Sequence, residues 1–355
     1  MTNALISRDT FSNATKAALR RLIHHREWLL VVTISVLVLA IGLRSPVFLT
    51  WRNAHDILND SAILAILVIG QMLVLLIRGI DLSVASNLAL TGMVCALVGR
   101  AFPEIPVSGL LVLACTLGAL LGGFNGWLIT AFQLPPIVVT LGTLSLYRGA
   151  IFVVSDGAWI SDHEIHPLIK GLPREEWLGL PALLWFAAIV ALLGTYLLKW
   201  RQEGRELYAY GGNPVAAVYV GIPVHQRVMM AYVASGLLAG LSGLLWVGRY
   251  SIAFTELASG YELTVIAACV IGGVSIAGGI GSITGAMLGV LFIGVINGAL
   301  PVIQVSPFWQ QAIAGGVILV SVALNARSGR RLGKPILERA EPEAPAQRHH
   351  HGGHA

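Results

Sequence analysis

From Leu263 to Ala326 the chain runs 64 residues without a charged side chain. An apolar run of about 20 residues spans a bilayer, and each charge placed in hydrocarbon is costly. The stretch has room for three crossings and belongs to a chain that lives in a membrane. A second run, Ile105 to Tyr147, holds 43 uncharged residues and is interrupted by Gln133-Leu-Pro-Pro136. A double proline does not continue a helix, so it divides two crossings. Function in such a chain is read from loops, helix breaks and topology, and no catalytic residue is expected.

The rest of the composition agrees. Only 12% of residues are charged and 40 of 355 are glycine, against about 25% and about 7% in globular chains. Glycine lets membrane helices approach closely. The formal charge of +5 does not point to nucleic acid, because the basic residues gather at the two ends and in one inner loop. Cys95, Cys115 and Cys269 are scattered through apolar runs, and a metal or disulfide set needs clustered thiols. No metal site and no bound cofactor are expected.

The predicted fold is an all-α polytopic membrane protein of about ten transmembrane helices. The apolar runs place them at Leu29–Leu43, Ile57–Ile77, between Asp81 and Arg100, 108–131, 136–154, Leu180–Leu198, Val228–Val247, 263–278, 283–300 and 308–326. Lys and Arg collect on the cytoplasmic side of membrane proteins. They lie in the amino-terminal arm (Arg8, Lys16, Arg20, Arg21, Arg26), in the loop 199–227 (Lys199, Arg201, Arg205, Arg227), and after Ala326 (Arg327, Arg330, Arg331, Lys334). An even count puts all three on one face, with both termini cytoplasmic and the acidic loop 155–179 outside. The chain divides into a cytoplasmic arm 1–28, a transmembrane domain 29–326 and a cytoplasmic tail 327–355. The tail is too polar to bury a core.

Two local patterns carry more. Gly122-x-x-Asn125-Gly126 followed by Pro135 recurs as Gly294-x-x-Asn297-Gly298 followed by Pro307, each pair 172 residues apart. Five crossings separate the copies, so they point opposite ways, as in the inverted repeats of transporters. In the loop 199–227, Asn213-Pro214 is a helix start, since Asn caps an orphan N–H and Pro at the first turn loses nothing. The helix is expected over 214–220, ending at Gly221 in a left-handed cap. Its Val-Ala-Ala-Val-Tyr-Val body exposes apolar surface and is too short to stand alone, so it reads as a knob for a partner's socket.

These segments carry a resemblance. Gly70-Gln71-x(6)-Arg78-Gly79-Ile80-Asp81-Leu82-Ser83, Gly123-x-Asn125-Gly126, Leu141-Gly142-Thr143-Leu144 through Tyr147-Arg148-Gly149, Gly204-Arg205 through Gly212-Asn213, Gly221-Ile222 and Ala267-Ala268-Cys269-Val270-Ile271-Gly272-Gly273 resemble the permease subunits of bacterial ABC sugar importers. The resemblance is to the ribose/xylose/galactose type, and most to its autoinducer-2/rhamnose subgroup. It covers about 55–325 and implies a permease in the bacterial inner membrane that translocates a small sugar: rhamnose, a pentose or related monosaccharide, or autoinducer-2. It implies a homodimer or paralogous heterodimer, two cytoplasmic ATPase subunits or one duplicated ATPase, and a periplasmic sugar-binding protein. The helix near 214 then couples to the ATPase, with Gly204, Arg205, Asn213, Pro214, Ala216, Ala217 and Gly221 as its residues.

The chain holds no G-x-x-x-x-G-K-[ST] motif, so ATP is expected to be bound and hydrolysed by a separate subunit. Arg78 and Asp81, three apart, are expected to pair and support the gate or core. Asn87, Asn125, Thr140, Thr143 and Asn297 are the candidate substrate pathway, being amides and hydroxyls within crossings. The alternative is a secondary transporter driven by an ion gradient. That alternative calls for an ionisable residue in mid-membrane, and the last three crossings have none.

Overall fold

The computed structural model describes residues 26–304, 306 and 309–319. The expected arm before Arg26 and tail after Ala326 lie outside the described residues, as does Pro307 of the second repeat motif. The chain is almost entirely helical: α1 (Arg26–Arg44), α2 (Trp51–Leu76), α3 (Val84–Ala101), α4 (Val107–Phe132), α5 (Pro136–Ser155), α6 (Pro167–Arg174), α7 (Ala182–Trp200), α8 (Gln202–Gly212), α9 (Pro214–Tyr219), α10 (Val224–Tyr250), α11 (Tyr261–Ile271) and α12 (Ile283–Val302). Residues 309–319 are also helical. Among the described residues, eight helices are long and apolar enough to cross a membrane: α1 to α5, α7, α10 and α12.

The crossing expected at 263–278 is corrected. Helix α11 stops at Ile271, and the chain turns through Gly273, Gly278 and Gly279, all at positive φ. Glycine takes that conformation without a Cβ penalty, and the helix does not continue through it. The second crossing begins earlier than its apolar run, at Trp51, because Thr50 caps it by accepting from Asn53 N. It ends before Arg78, whose φ is 64°.

Helix α2 forms the centre. It is buried without a break from Ser61 to Leu76, enclosed by its neighbours, while α1 lies at the periphery with Leu29, Val32, Val36 and Leu39 exposed, as an apolar helix in a bilayer can be. The helix pair α4–α10 is joined along a glycine seam. A Cβ on Gly118 would overlap the Gly236 carbonyl, and one on Gly240 would overlap the Ala114 carbonyl. Only small residues allow this approach.

Packing partners fix helix directions. Asp60 meets Arg249 and Gly70 meets Ser235, so α2 and α10 run antiparallel. Gly118 meets Gly240 and Gly126 meets Met229, so α4 is antiparallel to α10. Gly294 meets Ser61 and Gly298 meets Ile57, so α12 is antiparallel to α2. It follows that α4 and α12 oppose each other. Leu88 meets Gly243 and Gly92 meets Val247, so α3 runs parallel to α10, while Gly272 meets Gly285 and Ala268 meets Gly289, so α11 is antiparallel to α12; α3 and α11 therefore oppose as well. Shifting by 172 carries α2 onto α10, α3 onto α11 and α4 onto α12, each reversed in direction. The contacts follow: Gly126 with Met229 maps onto Gly298 with Ile57. The repeat is inverted, and it extends well beyond the glycine-asparagine motif that announced it.

The loop after α5 is structured. A 3₁₀ turn at Asp162–Glu164, α6 and a two-residue hairpin, β1 (Glu176–Trp177) against β2 (Leu180–Pro181), pair Trp177 with Leu180. Ile160 and Ala253 exchange two backbone hydrogen bonds, tying this loop to the segment after α10.

Candidate functional site

The bundle has a basic end, where α7 passes into α8, and an opposite, acidic end. At the basic end the loop 199–227 is two helices, α8 and α9; sequence reading anticipated the second alone. Three backbones meet there. Gly211 lies so close to the Leu76 carbonyl that a Cβ would overlap it, and Gly279 N donates to the same carbonyl at 3.0 Å. Arg78 closes the joint, donating from Nε to Gly211 O at 2.7 Å and from Nη2 to Gly212 O at 3.0 Å. Tyr208 Oη donates to Gly281 O at 2.9 Å. Arg227 pairs with Glu206 across α8 and α10, holding the Glu206 carboxyl below its usual range, with Gln202 assisting.

Helix α9 leaves this joint directly. Asn213 Oδ1 accepts from Ala216 N at 3.0 Å, and Gly221 follows at φ 80°. Val215, Val218, Tyr219 and Val220 are all more than 60% exposed, whereas Ala217 is 2% exposed. The outward face is therefore 215, 218, 219 and 220. Ala217 points inward because it lies on the opposite side of so short a turn. Gly204 is buried in the α7–α8 elbow, where a Cβ would overlap the Leu197 carbonyl; it shapes the turn and presents no surface. Arg205 is exposed and donates to Trp200 O at 3.2 Å.

Arg78 and Asp81 do not pair. The left-handed backbone at Arg78 turns its guanidinium toward α8, and Asp81 is satisfied elsewhere. Its Oδ1 accepts from Ser83 N at 2.9 Å and Ser83 Oγ at 2.7 Å, and its Oδ2 from Ser235 Oγ at 3.2 Å. The Gln71 amide, oriented to satisfy both groups, pairs with the backbone of Asp81 at 3.1 and 3.2 Å. Asn125 Nδ2 donates to Ser83 Oγ at 2.8 Å. This buried hub ties the α2–α3 turn to α4 and α10.

The remaining pathway candidates separate. Asn87 bridges α3 to α4 through Gly118 O at 3.1 Å and accepts from Thr91 at 3.2 Å. Thr140 donates to Ile80 O at 2.9 Å, and Thr143 bonds back to Val139 O at 3.1 Å. Asn87 and Thr140 tie separate segments together, whereas the Thr143 bond stays within α5. Asn297 lines a cavity of about 630 Å³ at the acidic end, which the other four do not border. Its walls include Asp56, Asp60 and Glu256 with Trp246, Tyr250 and Tyr261, none of which was among the pathway residues expected from the sequence. Arg249 contacts Asp60 at 3.1 Å and Asp56 at 3.7 Å. Arg148 holds the rim by donating to Leu257 O at 2.6 Å.

Comparison with known proteins places this architecture. A family model described as the permease component of the branched-chain amino acid transport system matches residues 53–322. The autoinducer 2 import system permease protein LsrC of Enterobacter sp. (strain 638) is 34% identical over 309 residues, covering 87% of this chain and 89% of that protein. The ribose import permease protein RbsC of Escherichia coli (strain K12) is 36% identical over 309 residues, covering 84% and 95%. RbsC of Haemophilus influenzae is 34% identical over 314 residues, covering 88% and 96%. No solved structure matches the chain significantly. With the family model spanning most of an inverted-repeat membrane bundle, the chain belongs to this family of multi-pass transport permeases.

Proposed function

We propose that the chain is the membrane-spanning subunit of an ATP-driven importer in a bacterial inner membrane. Its cargo is a small sugar, a pentose, rhamnose, a related monosaccharide or autoinducer-2, handed over by a periplasmic binding protein. Two permease chains, alike or paralogous, stand with two cytoplasmic ATPase subunits or one duplicated ATPase. The basic end faces the cytoplasm, following the bias of Lys and Arg. The names of the relatives support the cargo class. One observation carries the coupling role: a six-residue capped helix offers Val215, Val218, Tyr219 and Val220 to solvent beside a joint with the membrane core. Such a helix does not hold its shape alone, and an exposed apolar face of this kind marks a docking surface.

Asp81 is the residue on which the alternative, a transporter driven by an ion gradient, would have to rest. It is a carboxylate buried to 2% exposure with no ion pair among the described residues, the residue type an ion-coupled transporter needs. Its oxygens are taken by Ser83 and Ser235, which supports an anchoring role instead. Uptake into membrane vesicles decides between the two. With the proton and sodium gradients collapsed and ATP kept, uptake is expected to persist; its loss would establish ion-gradient coupling.

A further inference from the structure

Two connections that the inverted repeat makes equivalent are built differently. At the basic end the turn between α2 and α3 is latched to α4: Asn125 Nδ2 donates to Ser83 Oγ at 2.8 Å, and Ser83 opens α3. Shifting by 172 carries Asn125 onto Asn297 and this turn onto the start of the α10–α11 connection, at the acidic end. There the counterpart latch is undone. Asn297 Oδ1 has no partner among the described residues. Asn297 and Ser259, two residues before α11, border the same cavity of about 630 Å³.

The α10–α11 connection, 251–260, divides in two. Its first part is pinned at every second residue. Arg174 Nη2 donates to Ser251 Oγ at 2.6 Å, and Ala253 exchanges two backbone hydrogen bonds with Ile160. Arg148 Nη1 donates to the carbonyls of Thr255 and Leu257 at 3.3 and 2.6 Å. All four pinned residues are buried. The last part is bounded by left-handed backbone, Ala258 at φ 54° and Gly260 at φ 79°. The Cβ of Ala258 is strained in that conformation, and hinges lie at element ends that absorb such changes in φ and ψ. Ser259 stands exposed between the two.

We propose that residues 258–260 are an outer gate with Arg148 as its fixed post, and that closure seats Ser259 against Asn297 while the Ser83–Asn125 contact opens. This rests on the transport reading above, though not on its energy source. In an inverted repeat each half can take the conformation of the other, which exchanges the sealed end for the open one. Both latches join a hydroxyl just ahead of one helix to an amide toward the end of the next. Closure gives Asn297 a partner, and a buried polar atom left unpaired is costly. Ser83 keeps its bond to Asp81, so opening the inner latch releases α4 without dismantling the turn.

The test uses the full chain in inside-out vesicles, with Cys95, Cys115 and Cys269 replaced. Ser259→Cys and Asn297→Cys are introduced together, with Ser83→Cys as reporter, and copper phenanthroline is the oxidant. A disulfide between 259 and 297 is expected to form. Position 83, 1% exposed in the native chain, is then expected to react with an impermeant quaternary-ammonium methanethiosulfonate at least about tenfold faster. Trapping makes dominant a state otherwise populated at about 10% or less. Dithiothreitol, applied and removed before labelling, should return the reporter to its slow rate. A chain with Ser259→Cys but native Asn297 should show no acceleration. The proposal is overturned if no disulfide forms, or if it forms and the reporter rate stays unchanged. Should Ser83→Cys fail to reach the membrane, Asn125→Cys carries the same readout. Neither step uses ATP or sugar, so failure here leaves the importer reading to its own uptake test.

Discussion

Arg78 Nε donates to the Gly211 carbonyl at 2.7 Å, linking residues 133 positions apart. One partner ends the central helix of the bundle, and the other lies two residues before the cap of α9. A displacement of α9 therefore reaches α2 through one guanidinium and one glycine contact. We expect Arg78→Ala to break the link, removing two charge-assisted hydrogen bonds worth about 1.5–3 kcal/mol each. Basal ATP turnover by the assembled complex should survive, sugar-stimulated turnover should fall, and Arg78→Lys should restore part of it. Equal loss of basal and stimulated turnover would make Arg78 merely structural.

Gly211→Ala tests the same joint by crowding. The added Cβ overlaps the Leu76 carbonyl, and overpacking of this kind costs about 1–3 kcal/mol or more. Thermal stability of the detergent-solubilised chain should drop. Gly212→Ala has open space at its Cβ and should stay within about 1 kcal/mol of wild type. Equal stability of the two variants would contradict the joint.

Helix α9 gives a paired prediction. Val218→Asp changes an exposed position and should spare membrane expression while weakening ATPase co-purification roughly tenfold, as loss of a contact worth about 1–2 kcal/mol does. Ala217→Asp buries an unpaired charge and should lower expression itself. If Val218→Asp leaves co-purification unchanged, the exposed face is not the contact.

The charge-free run of 64 residues made the membrane class legible, and the 172-residue offset of Asn125 and Asn297 announced the inverted repeat. Asn213-Pro214 marked the start of α9, because a cap is written in adjacent residues. What stayed hidden depended on partners distant in sequence. Arg78 and Asp81 look like a pair at spacing three, yet the left-handed φ at Arg78 and the carbonyls of Gly211 and Gly212 separate them. Ala217 belongs to an apolar string whose inward and outward members only the docked helix distinguishes. Asp56 and Asp60 read as ragged ends of a crossing until α10 and α12 close a cavity around them.

Orientation is tested by labelling. In a cysteine-free background, Asp162→Cys should react with an impermeant maleimide in intact cells. Arg205→Cys, exposed at the basic end, should react only after permeabilisation. The opposite pattern would invert the assigned topology.

The central claim is that the exposed face of α9 is where the ATPase docks. A photo-crosslinking amino acid at Tyr219, 86% exposed, is compared with one at Leu178, 90% exposed at the acidic end. After irradiation of cells expressing the whole importer, a covalent adduct with the ATPase subunit is expected from position 219 and none from 178. An adduct missing at 219, or formed at 178, would contradict the account.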